Sequence, residues 1–167
     1  MVEPQRLLVV CLGNICRSPM AEGALRARLE QAGLRQVEVD SAGTGDWHVG
    51  LPPDSRAIAT ARRHGVDIAG LRARQLSKRD FDEFDWLLCA DHANLRDVQS
   101  LAPRTSRGRS VLFMEWAGLA GPVPDPYTGN ESHFEQVWAQ VDAAAQAAVA
   151  RLLGRLTHNP GQATGDT

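Results

Sequence analysis

A short apolar run, Leu7-Leu8-Val9-Val10, passes without a polar break into Cys11-Leu12-Gly13-Asn14-Ile15-Cys16-Arg17-Ser18-Pro19. A run this short and this uniformly apolar suits a strand covered on both faces, as in a parallel sheet. A Gly-containing turn follows, and then helix-start signals. Ser18 is placed to cap the helix and Pro19 to fill its first position. Ala21, Ala24, Leu25, Leu29 and Ala32 share one stripe, and Gly33 closes the helix. Strand, tight turn and helix in that order demand a second parallel strand for the helix to lead into.

The rest of the chain supplies it. Residues 37–39, 86–90 and 111–114 read as strands. Residues 54–64, about 77–82, 94–101 and 133–156 read as helices, with Gly65 ending the first. The last helix carries Phe134, Val137, Trp138, Val141, Ala145 and Val149 at helical spacing. Residues 117–130 hold too many Gly and Pro for regular structure. The expected fold is α/β: a single three-layer domain with a four-stranded parallel twisted sheet and helices on both faces. Its expected extent is residues 1–157, with residues 158–167 a flexible tail. A length of 167 residues and 43% hydrophobic content suit one core. In such sheets ligands bind outside the carboxyl ends of the strands. The loop at Cys11, the region after Cys89 and the loop after the fourth strand all lie there.

Composition narrows the function. A net charge of −2 gives no basic stripe for nucleic acid. No apolar run reaches the roughly 20 residues of a membrane span, and the start lacks a secretory pattern. Three cysteines, an odd number, read as free thiols in a reducing cytoplasm.

The chemistry concentrates at Cys11. Five residues separate it from Arg17. A loop of that size can curl its backbone N–H groups inward, above the positive end of a helix, and so hold a tetrahedral dianion. Arg17 can close the ring with a bidentate contact that Lys cannot reproduce. The same field favours a nucleophilic thiolate. Gly13 allows close backbone approach, and Asn14 tolerates positive φ. The Ser18 hydroxyl could also stabilise the sulfur as it leaves. A Walker A loop is excluded because its Lys-Ser/Thr pair is missing. A zinc site lacks a second ligand pair.

The stretch from Val10 to Glu22 resembles the active-site motif of low-molecular-weight protein-tyrosine phosphatases. The resemblance continues through Asp40-Ser41-Ala42-Gly43-Thr44, Trp47-His48-Val49-Gly50, Arg74-Gln75-Leu76, Cys89-Ala90-Asp91 with Asn94-Leu95, and Asp125-Pro126-Tyr127. It implies hydrolysis of phosphotyrosine through a phosphocysteine on Cys11, with Arg17 binding the phosphoryl group and Asp125 as general acid and base. Leu12, Gly13, Asn14, Ile15, Cys16 and Ser18 complete the implied phosphate loop. Trp47 and Tyr127 would wall the pocket and stack on the substrate ring. Asp91 is placed to accept hydrogen bonds from the loop or to position Arg17. His48 and His64 read as structural. Cys16 reads either as a trap for an oxidised Cys11 or as a small filler under the loop.

The resemblance implies no cofactor and no metal. It implies a phosphotyrosine protein as partner, a tyrosine kinase among the candidates, and a monomer capable of weak self-association. Two departures stand out. Thr128 replaces a second Tyr that the family often carries. The His that many members have near Leu71 is missing, so Asn14 needs other support, for which Ser41 is the candidate. Three rivals remain: an arsenate reductase, which needs two further mobile thiols where this chain offers only Cys89; a protein-arginine phosphatase, whose loop carries Thr in place of Ile15; and an inactive phosphopeptide-binding module.

Overall fold

The computed structural model describes residues 3–154. The domain boundary expected at 157 and the tail expected from 158 lie outside the described residues. Four strands, β1 (Gln5–Cys11), β2 (Val37–Gly43), β3 (Trp86–Cys89) and β4 (Arg109–Leu112), form one parallel sheet in the order β2-β1-β3-β4. The α/β architecture is therefore as expected.

Alternation along β1 divides the core into two. Leu7, Val9 and Cys11 face one helical layer, with Met20 and Leu25 of α1 (Arg17–Gln31) and Val137 and Val141 of α6 (Glu131–Leu152). Leu8 and Val10 face the other, with Phe81 of α3 (Asp80–Glu83) and Val98 of α4 (His92–Leu101). Burying each such side chain is worth about 1.5–3 kcal/mol. That explains why β1, buried on both faces, can anchor the middle of the sheet. The chain leaves β1 toward β2 on one side and reaches β3 on the other. The carboxyl ends of β1 and β3 therefore flank the switch point where a ligand crevice forms.

Several boundaries differ from the sequence reading. α1 begins at Arg17, and its N-cap is Cys16, which makes no side-chain cap bond. Ser18 is therefore inside the helix, because its hydroxyl is already engaged with Cys11 and Asn14. Pro19 still sits in the first turn, where its missing N–H is harmless. The run expected as a strand at 111–114 splits: β4 ends at Leu112, and Phe113–Trp116 form a short helix, α5. Phe113 and Met114 are buried, so the apolar run was real, but a short apolar run does not distinguish strand from helix. α3 begins at Asp80 rather than 77. α4 begins at His92, behind the N-cap Asp91. α6 ends at Leu152, just before Gly154 at φ 70°. The remaining helix, α2 (Ser55–Arg63), is capped by the Asp54 side chain.

Candidate active site

Cys11 is the last residue of β1 and is 2% exposed. Its loop is fixed from outside through its carbonyls. Cys11 O accepts from Thr44 N (2.9 Å), Leu12 O from Gly45 N (2.9 Å) and Ile15 O from Asp54 N (2.9 Å). With those carbonyls turned outward, the loop's N–H groups are released toward its interior, the geometry of an anion nest. The uncapped first turn of α1 adds its own free donors. Gly43 must be glycine for this packing, since a Cβ there would stand 2.7 Å from Leu12 O and 3.1 Å from Asn14 N.

Asn14 is the centre of a hydrogen-bond relay. It holds φ 57°, the one positive value among the described non-glycine residues. Its Oδ1 accepts from Arg74 N (3.0 Å). Its Nδ2 donates to Ser18 Oγ (2.7 Å) and to Ser41 Oγ (2.9 Å). Ser41 in turn donates to Glu22 Oε1 (2.7 Å). Because Ser18 Oγ accepts from Asn14, its proton is free for Cys11 Sγ, 3.0 Å away. Asn14 N–H also donates to that sulfur (3.3 Å). Two donors thus meet one sulfur. Asn14 is thus hydrogen-bonded to Ser41 and to the Arg74 backbone.

Glu22 is 1% exposed. Burial pushes its carboxyl above the usual carboxylate range, against the lowering effects of the Ser41 hydroxyl and Arg26. Arg26 Nη2 lies 2.7 Å from Glu22 Oε2, yet that oxygen receives no hydrogen bond, and the guanidinium donates instead to Val39 O (2.7 Å). The contact is an ion pair without hydrogen-bond geometry.

Arg17, 3% exposed, donates through Nη1 to Asp91 Oδ2 (2.6 Å) and Val123 O (3.2 Å). Its Nη2 lies 3.7 Å from Asp125 Oδ2. Burial works to lower its pKa, but the negative charges of Cys11, Asp91 and Asp125 outweigh it and push the pKa up. Asp91 serves two ends, since its Oδ1 caps α4 at Asn94 N (2.8 Å) while Oδ2 holds Arg17. Val123 N–H donates to Ala90 O (2.8 Å), which pins the loop carrying Asp125 to the end of β3.

These groups line one cavity of ≈150 Å³, whose walls include Cys11, Leu12, Gly13, Ile15, Cys16, Arg17, Trp47, His48, Asp125 and Tyr127. Trp47 and Tyr127 are 68% and 48% exposed, so they form its rim. The Trp47 ring covers Gly45, where a methyl group would overlap it. Ser18, Asn14, Ser41 and Asp91 stand behind the cavity as support. Cys16 is buried, and its thiol is pushed up by burial, Asp54 and Cys11, which keeps it neutral beside the loop. Cys89 lies in the opposite core layer, its thiol pushed up to about 12 by burial and Asp91.

Three contributions were not drawn from the sequence. His48 reads there as structural, yet it lines the cavity, 6.3 Å from Tyr127 by ring centroids. His64 is not among the cavity's lining residues and stacks on Trp138 at 5.4 Å. Arg56 and Asp54 join the phosphate loop to the Asp125 loop. In the sequence they mark only the start of the helix at 54–64.

A cysteine and an arginine at the two ends of a phosphate-sized loop, on a parallel α/β sheet, define a class of phosphate-handling proteins. Residues 6–157 match the family model described as low molecular weight phosphotyrosine protein phosphatase. The protein of that name from Schizosaccharomyces pombe is 43% identical over 145 residues, spanning 84% of this chain and 92% of its own. The crystal structure of a protein tyrosine phosphatase from Entamoeba histolytica matches with TM-score 0.82 at 30% identity, covering 89% of this chain and 96% of that one. The crystal structure of DARP, drosophila arginine phosphatase, matches with TM-score 0.80 at 28% identity, covering 87% and 96%. The chain belongs to the low molecular weight phosphotyrosine protein phosphatase family.

Proposed function

We propose that this chain hydrolyses phosphotyrosine on proteins through a phosphocysteine intermediate. The observation that carries the reading is the convergence of Cys11, Arg17 and Asp125 on one cavity. Arg17 and the loop N–H groups hold the phosphoryl oxygens. Cys11 Sγ attacks phosphorus as the P–O bond to the phenol breaks. Asp125 gives its proton to the departing oxygen, whose conjugate acid has a pKa of about 10. Water then attacks the phosphocysteine, its proton passes to Asp125, and Sγ leaves with its electron pair, assisted by Ser18.

Leu12, Trp47 and Tyr127 offer apolar surface to a flat ring. A phosphorylated tyrosine kinase is one candidate substrate, and the buried free thiols suit a reducing cytoplasm. Arsenate reduction is disfavoured because Cys89 faces the other core layer and cannot relay a disulfide without unfolding β3.

The likeness to an arginine phosphatase makes phosphoarginine the competing substrate. Ile15 argues against it, because an apolar wall gives a polar guanidinium phosphate no partner. The test is kcat/KM on matched peptides. Phosphotyrosine should be preferred, phosphoserine barely turned over, and phosphoarginine weak but improved in Ile15→Thr by about 1–3 kcal/mol of discrimination. A preference for phosphoarginine overturns the substrate class. Binding without turnover of any phosphopeptide identifies an inactive binding module instead.

A further inference from the structure

The loop that carries Asp125 is mostly exposed and rich in Gly and Pro, yet an acid must stand within hydrogen-bond reach of the leaving oxygen. What holds it is visible in the bonds that leave it. Among the described residues, the hydrogen bonds tying residues 125–129 to another element both come from Arg56. Its Nη2 donates to Tyr127 O (2.9 Å) and its Nη1 to Gly129 O (3.2 Å). The other bonds of that stretch are internal: Tyr127 N–H to Asp125 Oδ1 (3.1 Å), and Gly129 N–H to Pro126 O (2.8 Å).

Arg56 is itself fixed on three sides. Asp54 accepts from its Nε (3.0 Å) and Nη2 (2.9 Å). Its guanidinium lies 4.6 Å above the ring of Phe134, which is fully buried in α6, and 5.7 Å from the Tyr127 ring. Asp54, in turn, donates its N–H to Ile15 O (2.9 Å) in the phosphate loop. A continuous bracket thus runs from the phosphate loop through Asp54 and Arg56 to Tyr127, whose N–H reaches the Asp125 carboxylate.

Resting on the phosphatase reading above, we propose that Arg56 is a positioning residue that sets the general acid. By holding the Tyr127 carbonyl, and the Gly129 carbonyl beyond it, Arg56 anchors the residue whose own N–H, in the preceding peptide unit, orients Asp125, and Asp54 sets Arg56 relative to the phosphate loop. Arg56 is not among the residues that line the cavity. Its loss should therefore resemble a weakened acid while the cradle remains intact.

The experiment uses a series of aryl phosphates whose leaving groups range from activated to phenol-like. In Arg56→Ala, kcat should fall about tenfold for the poorest leaving group and less than about threefold for the most activated, since general acid assistance is worth roughly 10²–10⁴ in full. The inhibition constant of inorganic phosphate should stay within about twofold, because the cradle's own donors are untouched. Arg56→Lys, which keeps the charge but loses the fork, should fall between Arg56→Ala and the parent. In an Asp125→Asn background, Arg56→Ala should add nothing further to the loss on phenyl phosphate, because the two act through one group.

Asp54→Asn serves as a second variant should Arg56→Ala fold poorly. It retains a capping side chain but loses the charge that anchors Arg56, and it should show a milder form of the same leaving-group dependence. Equal losses across the series, or losses that simply multiply in the double variant, would overturn the role of Arg56 while leaving the phosphatase reading intact. A parent enzyme inactive on every aryl phosphate would overturn both.

Discussion

Two walls of the same cavity are built on opposite terms. The loop from Cys11 to Arg17 is buried except at Leu12 and Gly13, the carbonyls of Cys11, Leu12 and Ile15 are bonded outward, and Asn14 and Cys11 are joined into the relay that runs from Glu22. The loop from 117 to 130 is largely open, with Asp125 and Tyr127 about half exposed; Val123 is tied to Ala90 and Arg17, and Pro122 to Gln140, and beyond them Arg56 from α2 holds the stretch from 125 to 129. The difference follows from what each must do. A phosphoryl dianion is stabilised by dipoles that are already aligned, so any freedom in the cradle is paid back as reorganisation energy. An acid that serves a leaving oxygen and then a water must keep access to both.

The sharpest test of the rigid wall is Cys11→Ser. Turnover should fall more than about a thousandfold, the scale set by losing a nucleophile, while vanadate still binds. Vanadate binding lost together with activity would mean that the sulfur shapes the cradle rather than acting within it. Arg17→Lys should be nearly as damaging, because a point charge cannot replace the fork between Asp91 and the phosphoryl group.

The open wall should respond differently. Asp125→Asn should slow poor leaving groups by about 10²–10⁴ and activated ones much less. A flat loss across a leaving-group series would assign the proton to another group.

A pair of glycine substitutions probes the contrast without touching a reacting side chain. Gly43→Ala should cost about 1–3 kcal/mol and weaken phosphate binding, since its Cβ would meet backbone that cannot yield. Gly121→Ala, at φ 87° with nothing within 4 Å, should cost about 1–2 kcal/mol of backbone strain and leave phosphate binding alone. Thermal melts and phosphate inhibition constants decide the comparison, and equal effects on phosphate binding would erase the distinction between the walls.

The smallest effect concerns Glu22. Its folded-state pKa is raised, mainly by burial, so the folded protein holds that proton more tightly than the unfolded chain does. Stability from this group is present below the ordinary glutamate range and is lost as pH rises through the raised folded value. Glu22→Gln, which can still accept from Ser41, should flatten the fall in Tm over that window. An unchanged pH profile would mean that Ser41 and Arg26 already cancel the burial cost.

Much of this was written in the local sequence. β1 and the turn after it could be read from four apolar residues and the Cys-x5-Arg spacing, because burial on both faces and a curled loop are short-range demands. Asp125 was legible through the resemblance, although Asp-Pro alone signals only a turn. The start of α1 was misread because Ser18 looks like a cap in one dimension, and only the folded chain brings Asn14 and Cys11 onto its hydroxyl. Residues 113–114 were read as strand because a short apolar run satisfies either period.

What the tertiary structure alone decided is the company each group keeps. Arg74 lies 60 positions from Asn14, Asp91 lies 74 from Arg17, and Tyr127 lies 71 from Arg56, yet each pair is hydrogen-bonded. No periodicity encodes such pairs. The sequence determined which groups the chain brings to the site, since side-chain type and local spacing pointed to Cys11 and Arg17 and the resemblance pointed to Asp125. The order of strands in the sheet decided that β1 and β3 end side by side, and with that which carboxylate holds Arg17, while the packing of α2 on α6 brought Arg56 to the loop of residues 125–129.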